Sequence, residues 1–133
     1  MNITITDLNL RWGTKNIINW SNLENTTSSA NTAAVQEAID WADAQVYAQF
    51  NGSGYIVPLE VGPYSEAMVR AWLTSLAAWQ LYTGRGLRDT DIDTKMQIHY
   101  NRAFKEMREV LDGQRKLDAT KIRNDVPTGP EVV

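Results

Sequence analysis

The stretch that decides the fold is EAMVRAWLTSLAAWQLYT, residues 66–83. Its apolar side chains recur at Met68, Val69, Trp72, Leu73, Leu76 and Trp79, the three-and-four spacing of one helical face. The opposite side is small: Ala71, Thr74, Ala77 and Ala78. A helix that is apolar or small almost all round is buried on several sides, and small residues let a second helix come close. The spacing therefore predicts a central bundle helix whose tryptophans serve packing. Ser65 is the expected cap, with Glu66 in the first turn where the helix dipole favours an acid. Gly84 and Gly86 end the helix.

Toward the N-terminus a second stripe runs from about Thr32 through Val35, Ala38, Ile39, Ala42, Val46 and Phe50. Glu37, Asp40, Asp43 and Ala44 lie away from it, and Trp41 and Tyr47 sit on its flanks. A tryptophan off the stripe is either covered by a loop or a contact for a partner. Asn51 and Gly52 stop this helix. The link that follows, from Asn51 to about Tyr64, is longer than an ordinary helix-to-helix connection. It carries Tyr55, Ile56 and Val57, which favour extended backbone, and Pro58, which keeps Val57 out of the helical region. Residues 51–64 read either as a docking arm, using Tyr55, Ile56, Val57 and Leu59, or as a lid on their own bundle. Further upstream, Thr6 or Asp7 caps a short helix with Leu8 and Trp12 on one face. Gly13 ends it, and Lys15 to Trp20 forms a second short piece before a polar loop, Ser21 to Asn31.

Toward the C-terminus, Thr90 or Asp91 caps a last helix. Its stripe is Ile92, Met96, Tyr100, Ala103, Phe104, Met107, Val110 and Leu111, with Ile98 on the far side. Gly113 terminates it. The remainder, residues 114–133, has little periodicity and reads as a flexible or extended tail that Leu117 and Ile122 could anchor. The expected architecture is all-α: a small helical bundle with two or three long helices, a short N-terminal helix, a long inter-helix loop and an extended C-terminal tail. Residues 1–113 form the helical domain and 114–133 the tail.

A chain of 133 residues is one domain by default, and its 43% apolar and 22% charged composition is that of a soluble globular protein. With no cysteine, neither a disulfide frame nor a thiolate metal site is available. The longest apolar stretch is broken by Arg70, Thr74, Ser75 and Gln80, so no membrane span is expected. The first residues lack a basic, then apolar leader, and synthesis in a cytoplasm is expected. The net charge of −3 argues against a dedicated nucleic-acid binder. Its distribution says more. Between Asn16 and Val69 there is no Lys or Arg, whereas Glu37, Asp40 and Asp43 fall there. From Arg102 to Arg123 the balance reverses, with Arg102, Lys105, Arg108, Arg115 and Lys116 among the cations. The two segments are either solvated faces or the two halves of a head-to-tail contact between copies.

No constellation calls for catalysis. His99 is the one histidine, with no nucleophile signature beside it. Asp89, Asp91 and Asp93 alternate, but the glycine and closing glutamate of a calcium loop are missing, so helix capping explains them better. Gly84-Arg85-Gly86 has neither the preceding strand nor the Gly-Lys of a phosphate loop. Glu37, Asp40 and Asp43 face no second acidic helix with Glu-x-x-His. No enzyme, metal or cofactor is expected.

Four stretches in order carry a resemblance: ITITDLNLRWG (3–13), AVQEAIDWADAQVYAQFNGSGYIVPLE (34–60), VRAWLTSLAAWQLYTGRG (69–86) and YNRAFKEMREVLDGQRKL (100–117). Together they resemble the head–tail connector, or adaptor, proteins of tailed bacteriophages, in particular the Mu-like family. The matching positions are Thr4 to Leu8, Ala38 to Asp40, Tyr55 to Leu59, Ala77 to Tyr82 and Tyr100 to Gly113, and the likeness spans roughly residues 3 to 118. Gly54 stands where the family often has a basic residue.

The resemblance implies a non-enzymatic part of the virion neck: an oligomeric ring, often dodecameric, stacked under the portal. Such a ring extends the channel for the genome, touches duplex DNA in passing, and presents a surface to neck or tail-completion proteins. On that reading Glu37, Asp40 and Asp43 face the lumen or the next subunit. Arg102, Lys105, Arg108, Arg115 and Lys116 face a neighbouring subunit or the portal. Trp41, Tyr47, Tyr55, Ile56, Val57, Leu59 and Ile98 are candidate oligomer or partner contacts, and the tail from Leu117 reaches the portal. Two other readings stay open: a small helical DNA-binding or packaging accessory protein using residues 102–123, and an enzyme built around His99.

Overall fold

The structure is a computed structural model that describes residues 2–22, 28–86 and 90–122. Within those residues the chain is all-α, with five helices: α1 (Ile5–Trp12), α2 (Thr14–Ser21), α3 (Thr32–Phe50), α4 (Pro63–Arg85) and α5 (Thr90–Leu111). α4 touches each of the other four. Every residue from Trp72 to Ala78 is buried, followed by Leu81 and Tyr82. The small residues there allow close approach on sides where bulky ones would hold a neighbour off. The Thr74 hydroxyl is satisfied within its own helix, donating to the Arg70 carbonyl at 2.8 Å.

Two hydrogen bonds from ring nitrogens tie α4 to its neighbours. Trp12 Nε1 donates to the Thr74 carbonyl at 3.2 Å, fixing α1 across α4. Trp72 Nε1 donates to Glu106 Oε1 at 2.9 Å, fixing α5. Phe50, at the end of α3, stacks on Trp72 with centroids 6.0 Å apart. On the other side a run of rings crosses the bundle: Trp12–Trp20 at 6.2 Å, Trp20–Tyr82 at 5.6 Å, Tyr82–Trp79 at 6.4 Å, Trp79–Tyr100 at 5.2 Å and Tyr100–Phe104 at 5.1 Å. Trp79 is half-buried rather than central, while Leu81 and Tyr82 complete the buried surface of α4.

Helix starts differ from the sequence expectations in three places; in one of them, α5, Thr90 is already the first helical residue, so neither it nor Asp91 is the cap. α4 begins at Pro63, with Gly62 as its cap, instead of after Ser65. Proline suits the first helical position because its φ is preset and its missing N–H would have no helical partner anyway. α1 is capped by Thr4 instead of Thr6 or Asp7. Asp7 sits three residues on and accepts the Thr4 backbone N–H at 2.8 Å. α3 starts at Thr32 as expected, and the Asn31 side chain accepts the Ala34 N–H at 3.2 Å. The Asp89 end of the aspartate alternation, Arg123 and the tail from 123 to 133 lie outside the described residues.

The link and the tail pair with each other. Residues 117–122 run antiparallel to residues 54–62, bridging Tyr55 with Lys121 and Val61 with Ala119. Four backbone hydrogen bonds join them: Ile56 N–H to Thr120 at 2.9 Å, Ile122 N–H to Gly54 at 2.7 Å, Thr120 N–H to Glu60 at 2.9 Å and Gly62 N–H to Asp118 at 2.8 Å. Buried Ser65 completes the seam, its hydroxyl accepting the Asp118 N–H at 2.7 Å. A Cβ on Gly62 would overlap the Asp118 carboxylate, so the two segments meet where only glycine fits unshifted.

Candidate interaction surfaces

The sequence-derived contact residues separate into buried and outward groups. Tyr55 and Leu59 are in the core, 9% and 6% exposed, and Tyr55 meets Phe50 edge-on at 5.5 Å. The Lys121 ammonium lies 5.2 Å from the Tyr55 ring centre, a cation–π contact between tail and link. Ile56, Val57 and Trp41 are half-buried, and Trp41 packs against the core. Leu117 is buried, whereas Ile122 is exposed. Tyr47 and Ile98 are exposed on α3 and α5. Leu10 and Tyr64 are the most exposed large apolar side chains described, and sequence reading singled out neither.

The outer face of α3 is acidic. Glu37 and Asp40 are exposed, Asp43 is half-buried, and α3 contains no Lys or Arg. Gln36 donates to Asp40 at 2.9 Å. Burial, and then the Asp40 carboxylate, raise the Asp43 pKa above its ordinary value. Asp43 borders a groove of about 330 Å³ between α3, the link and α4, with Tyr47, Val57, Leu59, Val69 and Leu73 among its walls.

The outer face of α5 is basic. Lys95, Arg102, Lys105 and Arg108 are exposed. The helix has acids nearby in sequence, but Glu106 accepts from Trp72, and Glu109 accepts from Arg115 at 2.9 and 3.1 Å. No exposed acid lies between Lys95 and Arg108 among the described residues. Of the cations singled out from sequence, Arg115 is thus engaged inside its own chain, while Lys116 is exposed next to it.

A cleft of about 470 Å³ opens where α1, α2 and α5 meet. Trp20 and Met96 form a buried floor, Trp12 and Ile92 are half-buried walls, and Arg11, Lys95 and His99 stand at the rim. The His99 ring is edge-on to Trp12 at 5.2 Å, and its Nδ1 lies 3.3 Å from the Arg11 guanidinium. A guanidinium only donates, so Nδ1 accepts and the ring proton sits on Nε2. The His99 pKa is lowered from 6.5 by burial first, then by Arg11, Arg102 and Lys95. Burial and Arg102 lower the Arg11 pKa too. Arg11 and Lys95 escaped sequence reading because eighty-odd residues separate them and neither sits in a motif. Among the described residues no three His, Asp or Glu side chains gather to hold a metal ion, and no helix is long and apolar enough to cross a membrane.

No curated protein matches the chain. A family match does exist, and it runs over residues 3–133, taking in the link and the tail beyond Asp118, where the resemblance read from motifs stops. With nearly its whole length covered by that match, the chain belongs to the bacteriophage Mu Gp36 family.

Proposed function

We propose that this Mu-like phage protein is a non-catalytic structural part of the virion. It is one subunit of a closed ring that joins the portal to the neck and tail-completion proteins and extends the DNA channel. The observation that carries this reading is charge separation on one body. α3 turns Glu37 and Asp40 outward, while α5 turns out Lys95, Arg102, Lys105 and Arg108. Both helices pack chiefly on α4 and touch each other only slightly. Like faces repel and unlike faces attract, so copies favour acid-against-base contact. Such a contact joins different patches on the two partners, and it makes a ring when the rotation closes. Membership of a phage family supports a place in the particle, which is assembled in the host cytoplasm.

Light scattering and negative-stain imaging of the purified protein test the reading. Closed multimers at low salt that dissociate at high salt are expected, because exposed charge pairs are screened. A monomer at every salt and protein concentration overturns it.

The exposed cations on α5 favour a second reading, a DNA-binding packaging accessory. Duplex binding that weakens steeply with salt, by a log–log slope of about −0.9 per phosphate engaged, would select it.

A further inference from the structure

We propose that the cleft between α1, α2 and α5 is the socket for the outer face of α3 from a second copy, Tyr47 entering it and Asp40 meeting the Arg11–Lys95 rim. This rests on the ring reading and names the contact that would build it.

Among the described residues the cleft has no counter-charge: Arg11, Lys95 and His99 line it, Arg102 is close enough to act on both Arg11 and His99, and no acid is among the described lining residues. The polar contact Arg11 makes is with the His99 ring, and its guanidinium otherwise lies 5.8 Å from the centre of the neighbouring Trp12 ring. Cations crowded around a partly desolvated guanidinium, Arg11, are costly until an anion joins them. The cleft also has an apolar floor, which a bare ion or phosphate does not use. Its chemistry therefore asks for an apolar ring with a carboxylate further along the same face, to reach the rim.

The chain carries that pair on its own surface. Asp40 and Tyr47 are both exposed and seven residues apart on α3, hence on one face about two turns, or 10.5 Å, apart. Ala44 lies between them, also exposed, and does not shield the ring. A tyrosine anchor flanked by charge is a common centre of protein contacts, and an arginine over its face adds cation–π attraction. Socket and insert belong to different helices, so a copy whose cleft is filled still offers its own α3 to the next. That is the head-to-tail logic a ring requires.

Two charge-reversed chains test it. One carries Arg11→Glu with Lys95→Glu; the other carries Glu37→Lys with Asp40→Lys. Each alone should remain monomeric where the unaltered protein is a multimer, and an equal mixture should recover multimers in which the two chains alternate. Tyr47→Ala, at an exposed position, should weaken association at least tenfold without loss of helicity, and it keeps the test open if a reversal impairs folding. The chain has no cysteine, so Asn16→Cys with Ala44→Cys should give a ladder of covalent oligomers on oxidation, and either change alone should not. Association of the cleft-reversed chain as tight as that of the unaltered protein, or Tyr47→Ala without effect, overturns the socket and leaves the ring standing. Failure of the unaltered chain to associate at any concentration overturns both.

Discussion

The middle of α4 and the paired segments 54–62 and 117–122 both contribute apolar residues to the core, yet they are held in opposite ways. In α4 the pattern is local: every three or four residues another side chain joins the same buried surface, and backbone hydrogen bonds close within the helix. In the paired segments the backbone bonds run to residues far along the chain, Ser65 to Asp118 spanning 53 positions. The first kind of structure announces itself through period. The second depends on closure of a long loop, whose entropy must be repaid by a handful of contacts. The seam should therefore open well before the bundle does.

That contrast can be broken by mutation. Trp72→Ala should have the largest effect, removing the stack on Phe50 and the bond to Glu106. A loss of about 3–5 kcal/mol in denaturant unfolding is expected, with all helices melting together. Leu117→Ala removes the buried anchor of the tail and should cost about 2 kcal/mol. Its signature is local: amide-exchange protection falls at Ile56, Gly62, Thr120 and Ile122 while α4 amides keep theirs. Equal loss in α4 would show that seam and bundle are one cooperative unit. Ser65→Ala deletes the hydroxyl that accepts the Asp118 N–H, for about 1 kcal/mol and a milder version of the same exchange pattern.

The smallest effect concerns the α1–α5 junction, another contact distant in sequence. The one histidine gives a single imidazole signal in proton NMR, and its titration midpoint should lie below 6.5. An unfolded chain then takes up the proton first as pH falls. The stability His99 contributes is complete above about 6.5 and is lost as pH drops toward the lowered folded value. A midpoint at or above 6.5 would mean that Arg11 and Arg102 do not face the ring.

The same contrast explains what the sequence disclosed. The three long helices are legible because residues such as Val35, Ile39, Ala42 and Val46 carry the period themselves. Tyr55, Ile56 and Val57 declare extended backbone but not its partner, since backbone N–H and C=O groups carry no residue code. Nothing in QRKLDATKI marks it as their complement. Ser65 looks like a cap because serine before glutamate usually is one; here Pro63 starts the helix earlier and frees the hydroxyl for the tail. The acidic and basic segments are visible as composition. That Glu106 and Glu109 are withdrawn from the basic face, and that Arg11 joins Lys95 and His99, follows only from helices brought together in space.

The run of rings from Trp12 through Trp20, Tyr82, Trp79 and Tyr100 to Phe104 has a mechanical consequence. These plates interlock across α1, α2, α4 and α5, and close-packed interiors scarcely compress. A thrust delivered at the first helix is handed to the last through contacting side chains, so the unit pivots as a block and its helices do not slide past one another.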